Sequence, residues 1–114
     1  MSRNNVKLLT ARELDTFNDK YIIECDDKFL YVKFKYYNRC TAHPIDKPFS
    51  INSSIRKISF SVDAITIWRA LKDEYTLFDV QQAVNTCLIA YQEITESNVR
   101  KVLKSAMHKI KEET

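Results

Sequence analysis

The stretch Ile58-Ser59-Phe60-Ser61-Val62-Asp63-Ala64-Ile65-Thr66-Ile67-Trp68 changes its hydrophobic period in mid-course, and that change decides the fold. Over residues 55–62, Arg56, Ile58, Phe60 and Val62 alternate with Lys57, Ser59 and Ser61, the two-residue repeat of a half-buried strand. Beyond it Ala64, Ile65, Ile67, Trp68 and Leu71 recur at helical spacing after a cap supplied by Ser61 or Asp63, with Arg69, Lys72 and Asp73 on the opposite side. Strand-forming sequence lies before this point and helix-forming sequence after it.

Upstream, residues 21–25 and 29–37 are rich in aromatic and β-branched side chains, and Asp26-Asp27-Lys28 between them supplies turn chemistry without glycine. This predicts a hairpin. Alternation along 29–37 assigns Leu30, Val32, Phe34 and Tyr36 to the core, and Phe29, Tyr31, Lys33, Lys35 and Tyr37 to the outer face. Before the hairpin, Thr10-Ala11-Arg12-Glu13 has the spacing of a capping box and opens a brief helix with Leu14 and Phe17 facing inward. Residues 38–54 hold both prolines, Pro44 and Pro48, among Asn, Ser and Asp, and read as one long connection.

Downstream, Thr76 caps a second amphipathic helix whose stripe is Leu77, Val80, Val84, Cys87, Leu88 and Tyr91. Thr95-Glu96-Ser97-Asn98 opens a third, with Val99, Val102, Leu103, Ala106 and Ile110 turned inward. The expected fold is α+β: a small three-stranded antiparallel sheet followed by three helices over about 63–74, 77–90 and 96–111. At 114 residues this is a single domain over 1–114, with residues 1–62 forming the strand half and 63–114 the tri-helical half.

Composition narrows the chemistry. The chain has no glycine, where average usage would supply roughly eight, so it holds no P-loop, no G-x-G-x-x-G dinucleotide turn and no G-x-S-x-G nucleophile elbow. Cys40-Thr41-Ala42-His43 has half the spacing of a zinc site, but no second pair has ligand spacing, so no metal and no cofactor are expected. The two histidines, His43 and His108, sit in no recognisable catalytic motif, and an enzyme is not expected. Residues 1–10 carry polar and charged side chains where a secretory signal needs an apolar run, and no stretch is long enough to span a membrane. Together with three cysteines at unrelated spacings, this points to the cytoplasm.

The net charge of +3 is modest, but its distribution is uneven. Residues 63–96 hold two bases against six acids, and residues 97–111 hold five bases and no acid. The order Ile67-Trp68-Arg69-Ala70-Leu71, then Tyr75-Thr76-Leu77-Phe78-Asp79-Val80-Gln81-Gln82-Ala83-Val84, then Ile94-Thr95-Glu96-Ser97-Asn98-Val99-Arg100-Lys101-Val102-Leu103 resembles winged-helix and helix-turn-helix DNA-binding domains. In spacing it is similar to ferric-uptake-type repressors. The resemblance covers about residues 63–107 and implies that Ser97, Asn98, Lys101 and Lys104 face a DNA groove.

Helical geometry alone places Ser97, Arg100, Lys101, Lys104, His108 and Lys111 on the outward half of the last helix. Such a basic face neutralises phosphates, and Arg100 or Asn98 offers bidentate donors to base edges in a major groove. After the last turn only Glu112, Glu113 and Thr114 remain, so a wing-like contact would come from the hairpin. The expected partner is double-stranded DNA and the expected role a regulator of transcription, acting as a homodimer because one helix contacts too few base pairs. A glycine-free, Asn- and Lys-rich chain also suits an AT-rich phage or plasmid genome. The competing expectation is an inhibitor or adaptor that docks on a host protein through the hairpin face, where Tyr31, Lys33, Lys35 and Tyr37 offer a secondary nucleic-acid or protein contact.

Overall fold

The computed structural model describes residues 7–54 and 56–113, with side chains described as far as Ser105. The elements run α1 (Ala11–Lys20), β1 (Tyr21–Cys25), β2 (Phe29–Phe34), β3 (Cys40–Pro44), β4 (Phe49–Ile51), β5 (Ile58–Phe60), α2 (Val62–Leu71), α3 (Leu77–Ile89) and α4 (Glu96–Glu113). A three-stranded antiparallel sheet followed by helices is what the sequence predicts. The third strand of that sheet, however, is β3 and not residues 55–62, because β1, β2 and β3 pair in that order while β4 and β5 form a separate two-stranded ribbon.

Local chemistry explains most boundaries. Thr10 caps α1 through a complete capping box: its hydroxyl accepts from the Glu13 amide at 3.1 Å, and the Glu13 carboxylate accepts from the Thr10 amide at 3.0 Å. The helix runs ten residues and seats Phe17 fully in the core, as the brief helix expected there predicts. Thr76 and Asp79 build the same reciprocal cap on α3, and the Ser61 hydroxyl caps α2 by accepting from the Ala64 amide at 3.2 Å. Between β1 and β2 the Asp26 carboxylate accepts from the amides of Lys28 and Phe29, both at 2.8 Å, and so does with a side chain what glycine does with backbone freedom. At the end of α3 the Gln92 amide reaches the Cys87 carbonyl at 2.8 Å and the Tyr91 amide the Leu88 carbonyl at 3.2 Å, a Schellman closure. Tyr91 takes the left-handed position there, with φ 57°, although that position favours glycine.

Four expectations are corrected. Residues 38–54 are not one connection; they contain β3 and β4. Strand β2 ends at Phe34, where the Phe34 amide donates to the Arg39 carbonyl at 3.0 Å and the chain turns, so Tyr36 is exposed and its hydroxyl donates to Asp19 at 3.0 Å. Val62 opens α2 and does not extend β5; Ile58 and Phe60 alone carry that strand's inward face, and Ile55 lies outside the described residues. Tyr91, placed on the α3 stripe by periodicity, is 73% exposed because the helix has already ended.

The core is one cluster that draws on both halves of the chain. Phe78 of α3 is its joint: its ring lies 5.4 Å from Phe17 of α1, 5.4 Å from Phe60 of β5 and 6.1 Å from Tyr21 of β1. Leu30 and Val32 close the same core from β2, and Trp68 of α2 donates from Nε1 to the Tyr75 carbonyl at 3.0 Å, tying α2 to the turn before α3. Helix α3 sits centrally, packed against α1, α2 and α4.

The Asp26 turn makes stability depend on pH. Its carboxyl is held down to about 2 by the Tyr31 hydroxyl first, then by the two amides, against an ordinary value of 3.8. A carboxyl whose folded value is depressed contributes stability that is present above the ordinary value and is lost as pH falls toward the folded one. Thermal unfolding midpoints are therefore expected to drop between about pH 4 and pH 2, and Tyr31→Phe is expected to shrink that drop. An unchanged pH profile in Tyr31→Phe would show that the hydroxyl does not govern the turn.

Candidate nucleic-acid interface

Helix α4 is placed by its cap and its buried stripe. The Thr95 hydroxyl accepts from the Asn98 amide at 3.0 Å, and the Thr95 carbonyl from the Val99 amide at 2.9 Å, starting the helix at once after the α3 closure. Val99 and Leu103 are then buried against the α3 side, with Val102 half-buried beside them. The helical repeat consequently turns Ser97, Lys101 and Lys104 outward, and all three are exposed.

The other predicted contacts behave differently. Arg100 is only partly exposed, and its guanidinium reaches Glu74 Oε2 at 3.0 Å and Glu96 Oε2 at 3.5 Å. It ties α4 to the turn between α2 and α3 with the donors that base recognition would need. Such a partly exposed pair contributes on the order of 1 kcal/mol or less. Asn98 is half-buried, and its Nδ2 donates to the Glu93 carbonyl at 2.9 Å, fixing the turn before the helix. His108 and Lys111 lie outside the residues whose side chains are described.

Two acidic side chains missing from the sequence-based site matter here. Glu93 and Glu96 are both exposed at the start of α4, Glu96 paired with Arg100, and their negative charge beside the partial positive charge of that helix end works against binding a phosphate there. The Glu96–Arg100 spacing of four was a readable signal for an ion pair. The Glu74–Arg100 pair spans 26 positions and had no local signal.

On the sheet, Tyr31 and Lys33 lie on the outer face of β2 with Phe29, as alternation predicts. Lys35 and Tyr37 lie past the end of the strand, in the turn that leads to β3. Lys33 pairs with Glu24, Lys35 approaches Asp19 at 3.8 Å, and the Tyr31 hydroxyl donates to Asp26. Each lysine on this surface faces an acid, and the face carries no excess of positive charge.

Cys40 and His43 stand three positions apart on a strand and point to opposite faces. Cys40 is exposed, while the His43 ring lies half-buried, 4.4 Å from the Phe49 ring and 3.0 Å from the Thr41 hydroxyl. Burial moves the His43 imidazole below its ordinary value. Among the described residues no cluster of three or more His, Cys, Asp or Glu is arranged to hold a metal ion, and no helix is long and apolar enough to cross a membrane.

Compared with protein-family models, curated proteins and solved structures, the chain finds no match.

Proposed function

We propose that the protein is a small cytoplasmic DNA-binding regulator of transcription that meets duplex DNA along the middle of α4 and works as a homodimer. One observation carries this reading: Ser97, Lys101 and Lys104 stand exposed in a row on the third helix of a tri-helical group, and among the described residues neither lysine meets a carboxylate. Ammonium groups so placed neutralise phosphates and release counterions, which makes affinity largely independent of sequence and steeply dependent on salt. Glu93 and Glu96 displace the contact from the helix start toward Lys101 and Lys104. Because Arg100 and Asn98 are committed within the fold, base readout is slight, and a second α4 one helical turn away along the duplex supplies the length of contact.

Lys101→Ala and Lys104→Ala are each expected to weaken retention on random duplex at every sequence tried. Each is also expected to reduce the slope of log affinity against log salt by about one. Lys101→Arg is expected to retain binding. Retention and slope left unchanged by both alanine substitutions would reject the reading.

A second reading, a module that docks on a partner protein, is favoured by the exposure of Phe29 and Ile22 on the sheet. It predicts no salt-dependent retention on duplex.

A further inference from the structure

The outer face of the β1–β2–β3 sheet is uncovered. Leu30 and Val32 turn to the core, while the opposite face presents Ile22 and Glu24 from β1, Phe29, Tyr31 and Lys33 from β2, and Ala42 from β3. Ile22 is 43% and Phe29 40% exposed, and Cys40 and Pro44 complete the face on β3. Among the described residues no helix lies over this side.

The register sets these groups on a grid. Ile22 is opposite Lys33 and Glu24 opposite Tyr31 across the β1–β2 ladder, so the four occupy the corners of a rectangle. Tyr31 is in turn opposite Ala42 across the β2–β3 ladder, and Phe29 lies two residues from Tyr31 on the side away from Lys33. A two-fold axis parallel to the sheet and about 5 Å above its outer face, along the diagonal from Tyr31 to Ile22, brings Glu24 and Lys33 of one copy to within about 3 Å of the points over Lys33 and Glu24 of the other. The offset reflects strands about 4.8 Å apart against alternate residues about 6.8 Å apart. The same rotation brings Phe29 to within about 3 Å of the point over Ala42 of the other copy. The face is therefore complementary to itself: acid meets base twice, a large ring meets a methyl group twice, and the two residues on the axis meet their own copies.

We infer that a second copy of this chain docks on this face about that diagonal axis, with the strands of the two sheets crossing steeply, at about 70°. Steep crossing is one of the two ways in which sheets pack face to face. Glu24 then lies against the partner's Lys33 and Lys33 against the partner's Glu24, so the ion pair within each chain is extended into a four-charge ring that flanks the axis between the Tyr31 pair and the Ile22 pair. A face with one acid and one base, offset at right angles about its central tyrosine, matches a copy of itself better than it matches a surface of single sign. The inference concerns the sheet and does not depend on DNA contact by α4.

Charge reversal tests it. Sedimentation is expected to give the wild-type chain twice its 13.4 kDa mass. Glu24→Lys and Lys33→Glu, each confirmed folded by circular dichroism, are each expected to raise the dimer dissociation constant on the order of a hundredfold, because both contacts across the axis become like-charged. Mixed in equal amounts, the two variants are expected to regain the dimer, since every contact between unlike chains is then acid against base. That recovery does not follow from a defect inside either chain, because each still carries its own like-charged pair. A wild-type chain that remains monomeric across micromolar concentrations would overturn the inference and leave the face to an unrelated partner. Single variants that dimerise as the wild type does, or a mixture that stays monomeric, would also overturn it.

Discussion

Phe78→Ala is expected to cost about 3–5 kcal/mol of unfolding free energy in chemical denaturation, the range for truncating a buried aromatic ring without room to collapse. Phe78 is 1% exposed and stacks or abuts rings from three other elements, Phe17, Tyr21 and Phe60. Alanine would leave a void at the point where α1, β1 and β5 meet α3, and none of these closes it without moving the others. Against a total of about 5–15 kcal/mol for an ordinary domain, such a loss removes a large fraction of stability. A loss below about 1 kcal/mol would mean that the two halves of the chain are not held together through this ring.

The second large effect concerns a polar side chain. Gln81 is 3% exposed; its Oε1 accepts from the Ser61 amide at 2.8 Å and its Nε2 donates to Asn85 Oδ1 at 2.9 Å. Gln81→Leu keeps the bulk but removes the acceptor for the backbone N–H of the residue that caps α2. Leaving a fully buried donor unsatisfied costs about 1–3 kcal/mol, and because Ser61 is half-buried the expected loss lies toward the lower end, about 1 kcal/mol. Asn85→Ala, which removes only the outer partner, is expected to cost less. Equal losses in the two variants would show that the bond to Ser61 carries no special weight.

These two residues also mark what sequence reading reaches. Caps are legible because their chemistry is local: Thr10 with Glu13 and Thr76 with Asp79 form reciprocal bonds across three positions, and such pairs read directly from the chain. The inward set Leu30 and Val32, and the stripe Val99 and Leu103, follow from periodicity. Gln81 is hidden from that logic because α3 is enclosed on several sides, so burial extends past the apolar stripe to Phe78 and to a glutamine whose partner lies 20 positions away. Strand β3 is hidden because Thr41 and His43 owe their extended backbone to pairing with Val32 and Leu30, and Pro44 is tolerated where it ends the strand.

The candidate interface divides along the same line. Outward placement of Ser97, Lys101 and Lys104 follows from helical spacing. Engagement of Arg100 by Glu74 is a tertiary fact that a count of bases along α4 does not contain. A residue on the outward half of a helix is available to a partner only if no neighbouring element has already claimed it.

The turns closed by Asp26 and the helix starts closed by Thr10, Ser61, Thr76 and Thr95 have a thermodynamic corollary. Replacing a flexible residue by one with a Cβ, at a site whose native dihedrals it accepts, stabilises by about 0.4–1 kcal/mol because the denatured chain samples fewer conformations. Across a sequence with no glycine the saving recurs at every such site, so the unfolded ensemble is stiff before folding begins and surrenders less disorder on the way to the native state. Tyr91 is the exception, since a substituted residue held at positive φ returns part of that saving as local strain.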